Sequence, residues 1–178
     1  MIAMREILPF APLLGLLAWA AVVDLRSRRI PNWMTGALVA SGLAQSGLAF
    51  WSLSSGQAWA GLGAGFGLTF ILFALGGMGG GDVKLFAGIG AWVGPMRVVE
   101  IFAAEAVIGM LIVLAHAMRR RRVGTLMRNS AVLVMNAAVS GDPSCPEESE
   151  DARGRRLPYA VPALMATVGV LVLGWRFL

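Results

Sequence analysis

The spacing of charge constrains this chain more than any other feature: charged residues are few and clustered, and the long apolar stretches between them carry none. Charged residues make up 14% of the 178, against roughly 25% in soluble domains, while 57% are hydrophobic. Mean hydropathy is +0.72. A soluble chain of this length has too little interior to hide that much apolar surface, so lipid must be the solvent over much of it. The apolar stretches are long and continuous. They therefore predict spanning helices rather than a barrel, whose strands would be short and alternating.

Six spans are expected, at Ile7–Val23, Met34–Leu53, Ala58–Leu75, Val83–Val93, Val98–Met118 and Leu157–Trp175. The fold class is all-α: a polytopic membrane protein with about six transmembrane helices, forming one membrane-embedded domain over residues 1–178. A bilayer core asks for about 20 helical residues. The fourth span is shorter than that and is cut from the fifth by Gly94-Pro95. Between the last two spans, residues 119–156 form a cytoplasmic loop. Its first half, Val123 to Val139, is apolar enough to lie along the interface. Its second half, Gly141 to Asp151, is polar and turn-rich and reads as a connector.

The net charge is +5, and its distribution reports topology rather than nucleic-acid binding. With the N-terminus outside, cytoplasmic segments hold Arg26, Arg28, Arg29, Lys84, Arg119 to Arg122, Arg128, Arg153, Arg155 and Arg156. External segments hold only Arg5, Arg97 and Arg176. The positive-inside rule favours that orientation. Ala18-Trp19-Ala20 has the small residues of a signal-peptide cleavage site. Against cleavage, Arg5 is offset by Glu6, and the positive cluster follows the apolar run instead of preceding it. The run Arg119 to Arg122 reads as a headgroup-facing stop signal. Cys145 is the single cysteine, so neither an intrachain disulfide nor a four-ligand zinc site is available.

Under this topology two aspartates share the cytoplasmic edge. Asp24 ends the first span, and Asp82 begins the fourth after Gly76-Gly77-Met78-Gly79-Gly80-Gly81. A structural role is open to each. Asp82 suits a helix start, where its charge complements the dipole. Asp24 sits at a helix C-terminus, where negative charge is disfavoured, although Arg26, Arg28 and Arg29 could neutralise it. The glycines point further. Five in six residues form a poor helix, at about 1 kcal/mol each relative to alanine, and let another chain approach closely. An extended peptide could lie there beside Asp82. No phosphate-binding loop pattern is present.

Gly79-Gly80-Gly81-Asp82 matches the Gly-x-Gly-Asp signature of intramembrane aspartyl proteases. Extended to Val83-Lys84-Leu85, it resembles the type IV prepilin peptidase family. That family's first motif, an aspartate followed by a basic stretch and Ile-Pro-Asn, is matched by Asp24 through Asn32. Span count, motif order and motif placement agree along the whole chain. The resemblance implies Asp24 and Asp82 as the catalytic pair, with Gly79, Gly80, Gly81 and Lys84 binding substrate or shaping the loop. Lys84 would contact substrate, orient Asp82, or neutralise charge; Arg29 and Asn32 are expected to shape their loop.

The resemblance further implies an aspartyl endopeptidase in the bacterial inner membrane that removes the basic leader from a prepilin at the cytoplasmic face. Two carboxyl groups sharing a site hold one proton between them. The ionised member takes a proton from the attacking water and the other donates to the scissile carbonyl oxygen. No metal or other cofactor is expected. The partners implied are a prepilin and the lipid bilayer, with no nucleic acid. Only Asp24 to Trp33 separates the first two spans and the cysteine-rich zinc segment of longer relatives is missing, so methyltransferase activity is not expected. The short form resembles peptidases paired with Flp-type pili.

The related presenilin-type proteases carry a Tyr-Asp first motif, whereas Val23 precedes Asp24 here. Pro162-Ala163-Leu164 spells their third element, but Pro158 and Pro162 read mainly as shaping the start of the last helix. Glu105 is anomalous, a carboxyl inside the fifth span, where it would bond another helix, sit protonated or contact substrate. His116 reads as interfacial. The rival reading is a non-enzymatic small transporter or pilus-assembly subunit, in which Asp24, Asp82 and Glu105 would pair or carry protons along a translocation path.

Overall fold

A computed structural model describes residues 8–27, 30–47, 53–75, 78–119 and 160–173. Among them the chain forms six α-helices and no strand: α1 (Ala11–Ser27, entered through a 3-10 turn at Leu8–Phe10), α2 (Asn32–Gly47), α3 (Ser55–Ala74), α4 (Gly80–Val93), α5 (Pro95–Arg119) and α6 (Ala160–Leu173). Each of the six expected spans corresponds to one helix. Three segments are long and apolar enough to cross a membrane: Leu8–Ser27, Ser55–Ala74 and Pro95–Ala115. α4 has 14 residues, or about 21 Å of helix, less than a hydrocarbon core of about 30 Å. The protein is a polytopic helical membrane protein.

Of the helix boundaries that differ from the sequence expectation, two bear on the acidic motifs. α1 continues past Asp24 to Ser27, whose hydroxyl donates to Val23 O at 2.8 Å. Asp24 therefore lies inside the last turn rather than at the helix end. α4 starts at Gly80 instead of Val83, with Gly79 as its N-cap. The first turn of a helix tolerates glycine because its N–H groups have no intrahelical acceptors to lose. The expected readings of Arg5, Arg28, Arg29, Arg120 to Arg122, the connector with Cys145, Pro158 and Arg176 lie outside the described residues.

By contacts the chain divides into two compact units, Met1–Ala106 with Pro158–Leu178, and Val107–Leu157. In the second, the described residues are the distal half of α5, where Val107, Met110, Leu111 and Leu114 are exposed apolar side chains. The first unit contains both acidic motifs, and α4 runs through its interior. Every residue of α4 from Leu85 to Val93 is buried, as expected of a helix with apolar residues on all sides.

Glycine allows α4 to be surrounded so closely. A Cβ on Gly61 or Gly65 of α3 would run into the Gly90 or Phe86 carbonyl of α4, and one on Gly90 would meet the Gly61 carbonyl. Small residues of this kind let helix backbones touch in lipid, where the hydrophobic effect gives no drive to association. Against α2, the Leu38 side chain fills the space over Gly88. Trp92 Nε1 donates to Leu38 O at 3.1 Å and to Ser41 Oγ at 3.2 Å, while Gln45 Nε2 donates to Trp92 O at 3.2 Å. α1 packs on α2 and α6. Outward, α3 exposes Trp59, Phe66, Phe70, Ile71 and Phe73, a surface suited to lipid.

Candidate active site

The first motif bridges the end of α1 and the start of α2. Asp24 is 7% exposed, and its Oδ2 accepts the Ala160 N–H at 3.2 Å. Ala160 opens α6, so a helix N-terminus with its partial positive charge compensates a carboxyl that the C-terminal end of α1 would disfavour. The nearby arginines had been the expected source of compensation. Arg26 is exposed, and among the described residues Asp24 bonds to α6. After Ile30, the Pro31 carbonyl accepts from the N–H groups of Met34 at 3.1 Å and Thr35 at 3.4 Å, which starts α2. Proline suits that position because its own missing N–H would have no helical acceptor.

The second motif forms the head of α4. The Gly79 carbonyl accepts from Asp82 N at 3.0 Å and Val83 N at 3.3 Å, making Asp82 the third helical residue. A negative side chain in the first turn is favoured by the dipole. Asp82 is half-buried, and its Oδ2 stands 2.9 Å from the place a Cβ on Gly79 would occupy. The absent side chain at 79 is thus what leaves room for the carboxyl group. Gly80 faces the Phe73 ring of α3, with 3.5 Å from its Cβ position to Cε2.

The two motifs meet. The Cβ position of Gly81 lies 3.8 Å from Ile30 Cβ, and Lys84 Nζ donates to Asn32 Oδ1 at 2.9 Å. Of the expected site residues, Gly79, Gly81, Asp82 and Lys84 therefore gather with Ile30 and Asn32 where α2 and α4 begin. Asp24 is placed apart from these contacts, near the end of α1 and bonded to the start of α6. The sequence reading missed the role of Ala160, because a backbone N–H carries no residue signature. It also left Glu105 without a partner, although a carboxyl inside a span was the available signal. Glu105 is 4% exposed and interacts electrostatically with Asp82.

Fold and site together define a helical membrane protein whose two acidic motifs converge at helix ends. A sequence model of the type IV leader peptidase family matches residues 11–114, which include both motifs and most of α5. The match covers more than half of the chain, and the protein belongs to that family. It is accordingly a peptidase with a protein substrate. No curated protein and no solved structure matches the chain.

Proposed function

We propose that this peptidase is a short, peptidase-only prepilin processing enzyme that removes the basic leader from a type IV, Flp-type prepilin, with Asp24 and Asp82 as its catalytic pair. The observation that most favours this reading is the meeting of the two motifs, through Gly81 against Ile30 and Lys84 bonded to Asn32. Family membership supplies the reaction class. The enzyme would sit in the bacterial inner membrane with its N-terminus outside and the site at the cytoplasmic edge, consistent with the positive-inside pattern.

The chemistry follows from two carboxyl groups and one water. The ionised aspartate removes a proton from the water as its oxygen attacks the scissile carbonyl carbon. The protonated one donates to the carbonyl oxygen, and collapse of the tetrahedral species breaks the C–N bond as the amine takes up a proton. An extended leader junction would lie along the glycine-rich head of α4, while the following apolar helix of the substrate stays in lipid. Lys84 is tied to Asn32, which favours an orienting role over direct substrate contact.

Cleavage of a co-expressed prepilin, read by gel shift and N-terminal mass, tests the proposal. Wild type should cut at the leader junction, whereas Asp24→Asn and Asp82→Asn should each lose at least about a hundredfold in rate. Cutting that survives loss of either aspartate at normal expression would refute the pair.

A further inference from the structure

Glu105 has no part in the hydrolysis above, yet it is a buried carboxyl on a segment apolar enough to cross a membrane. Such a group is costly there and persists where it has a function or a partner. Its position follows from how α4 and α5 join. Gly94 alone separates them, with φ at 84°. Phe86 stands eight residues before Gly94 and Phe102 eight after it. Their rings meet edge to face, centroids 5.7 Å apart, so the chain folds back on itself about the glycine. Residues three or four apart share a helix face. One turn further from Gly94, that face carries Asp82 on α4 and Glu105 on α5. Val98 and Ile101, both fully buried, belong to the same inward stripe of α5 as Glu105.

The surroundings restrict what Glu105 can act on. α2, α3 and α6 have no ionisable side chain, α1 carries Asp24 and Arg26, and α4 carries Asp82 and Lys84. On α5 itself the others are Arg97, Glu100, His116 and Arg119. Lys84 is bonded to Asn32, Arg26 is exposed, and Asp24 accepts from Ala160. Among the described residues, Asp82 is the ionisable group that acts on Glu105.

We infer that Glu105 is a positioning residue for Asp82, a third carboxyl group that α5 holds against the head of α4 to set where the Asp82 side chain lies and which proton it carries. The inference rests on the reading of Asp82 as a member of the catalytic pair. Carboxyl groups held together share their protons, and in this arrangement Glu105 would contribute to the protonation of Asp82. Glu105 itself need not touch the substrate.

The test uses the purified full chain in detergent and a fluorogenic peptide with a basic leader, a glycine and an apolar segment. Wild type, Glu105→Gln, Glu105→Asp and Asp82→Asn are compared for kcat, KM, pH–rate profile and thermal unfolding. The expected result for Glu105→Gln is a kcat lower by about tenfold to a hundredfold. Its KM should stay within about twofold and its pH profile should change shape, while Glu105→Asp recovers part of kcat. Wild-type kcat and profile in folded Glu105→Gln would overturn the inference. So would a loss of kcat that only tracks lowered thermal stability with the profile unchanged. Should Glu105→Gln fail to fold, Glu105→Asp decides: an altered profile supports the role and an identical one overturns it. An active Asp82→Asn would instead sink the catalytic pair. Inert Asp82→Asn beside fully active Glu105→Gln would sink only the role of Glu105.

Discussion

Lys84 Nζ donates to Asn32 Oδ1 over 2.9 Å, joining positions 52 residues apart in the chain. Asn32 is the first residue of α2 and Lys84 lies in the opening turns of α4, so one hydrogen bond ties together the starts of the two helices that carry the motifs. Held by Asn32, Lys84 supports the geometry of its helix end while remaining exposed.

A double-mutant cycle on Lys84→Met and Asn32→Ala should show the two side chains acting together. An exposed hydrogen bond of this kind is worth about 0.5–1 kcal/mol, which corresponds to roughly a twofold to fivefold change in rate. Peptide cleavage by the double variant should be no slower than by the worse single variant. Strictly multiplicative losses would show that the bond has no part in activity.

Asp24 should separate catalysis from folding. Asp24→Asn keeps an oxygen for the Ala160 N–H and should unfold at close to the wild-type temperature while losing cleavage. Asp24→Leu strands a buried donor and should lose about 1–3 kcal/mol of stability in addition. Denaturation in detergent micelles reads the difference. Equal stability of the two variants would mean that the bond to α6 contributes nothing.

At the head of α4, Gly79→Ala and Gly80→Ala should differ although the residues are adjacent. A methyl group on Gly79 would stand 2.9 Å from Asp82 Oδ2 and must displace it, whereas one on Gly80 would make ordinary contact at 3.5 Å with Phe73. Displacing a reacting group by about 1 Å can cost about a hundredfold. The expected outcome is a large fall in kcat for Gly79→Ala at unchanged unfolding temperature, with near-normal activity for Gly80→Ala.

The α3–α4 contact makes a stability prediction independent of catalysis. Gly61→Ala and Gly90→Ala each drive a methyl group into a backbone carbonyl of the facing helix, while a Cβ at Gly63 meets nothing within 4 Å. The first two should destabilise by about 1–3 kcal/mol or more. Gly63→Ala should leave stability within about 1 kcal/mol of wild type. Thermal unfolding of the three purified proteins would check the ordering.

Much of the architecture was legible in the linear chain because lipid imposes a coarse rule. Charge-free apolar stretches must become helices, and Gly94-Pro95 had to interrupt one of them. Boundaries were less legible. The glycines before Asp82 read as loop, yet Gly80 and Gly81 form the first turn of α4, since helix propensity weighs little where no intrahelical bond is lost. Asp24 read as the end of its span, and α1 runs on for three further residues.

The chain by itself determined that this protein is helical, lives in a membrane, and carries two aspartate motifs suited to a peptidase, because hydropathy and motif spacing are local properties. Tertiary structure alone decided the companions of those motifs: the Ala160 N–H for Asp24, the empty Cβ position of Gly79 for Asp82, and the bond between Asn32 and Lys84. These depend on which helix faces meet and at what height along their axes. That is settled by close packing of glycines and aromatic rings between helices, and no single stretch of sequence contains it.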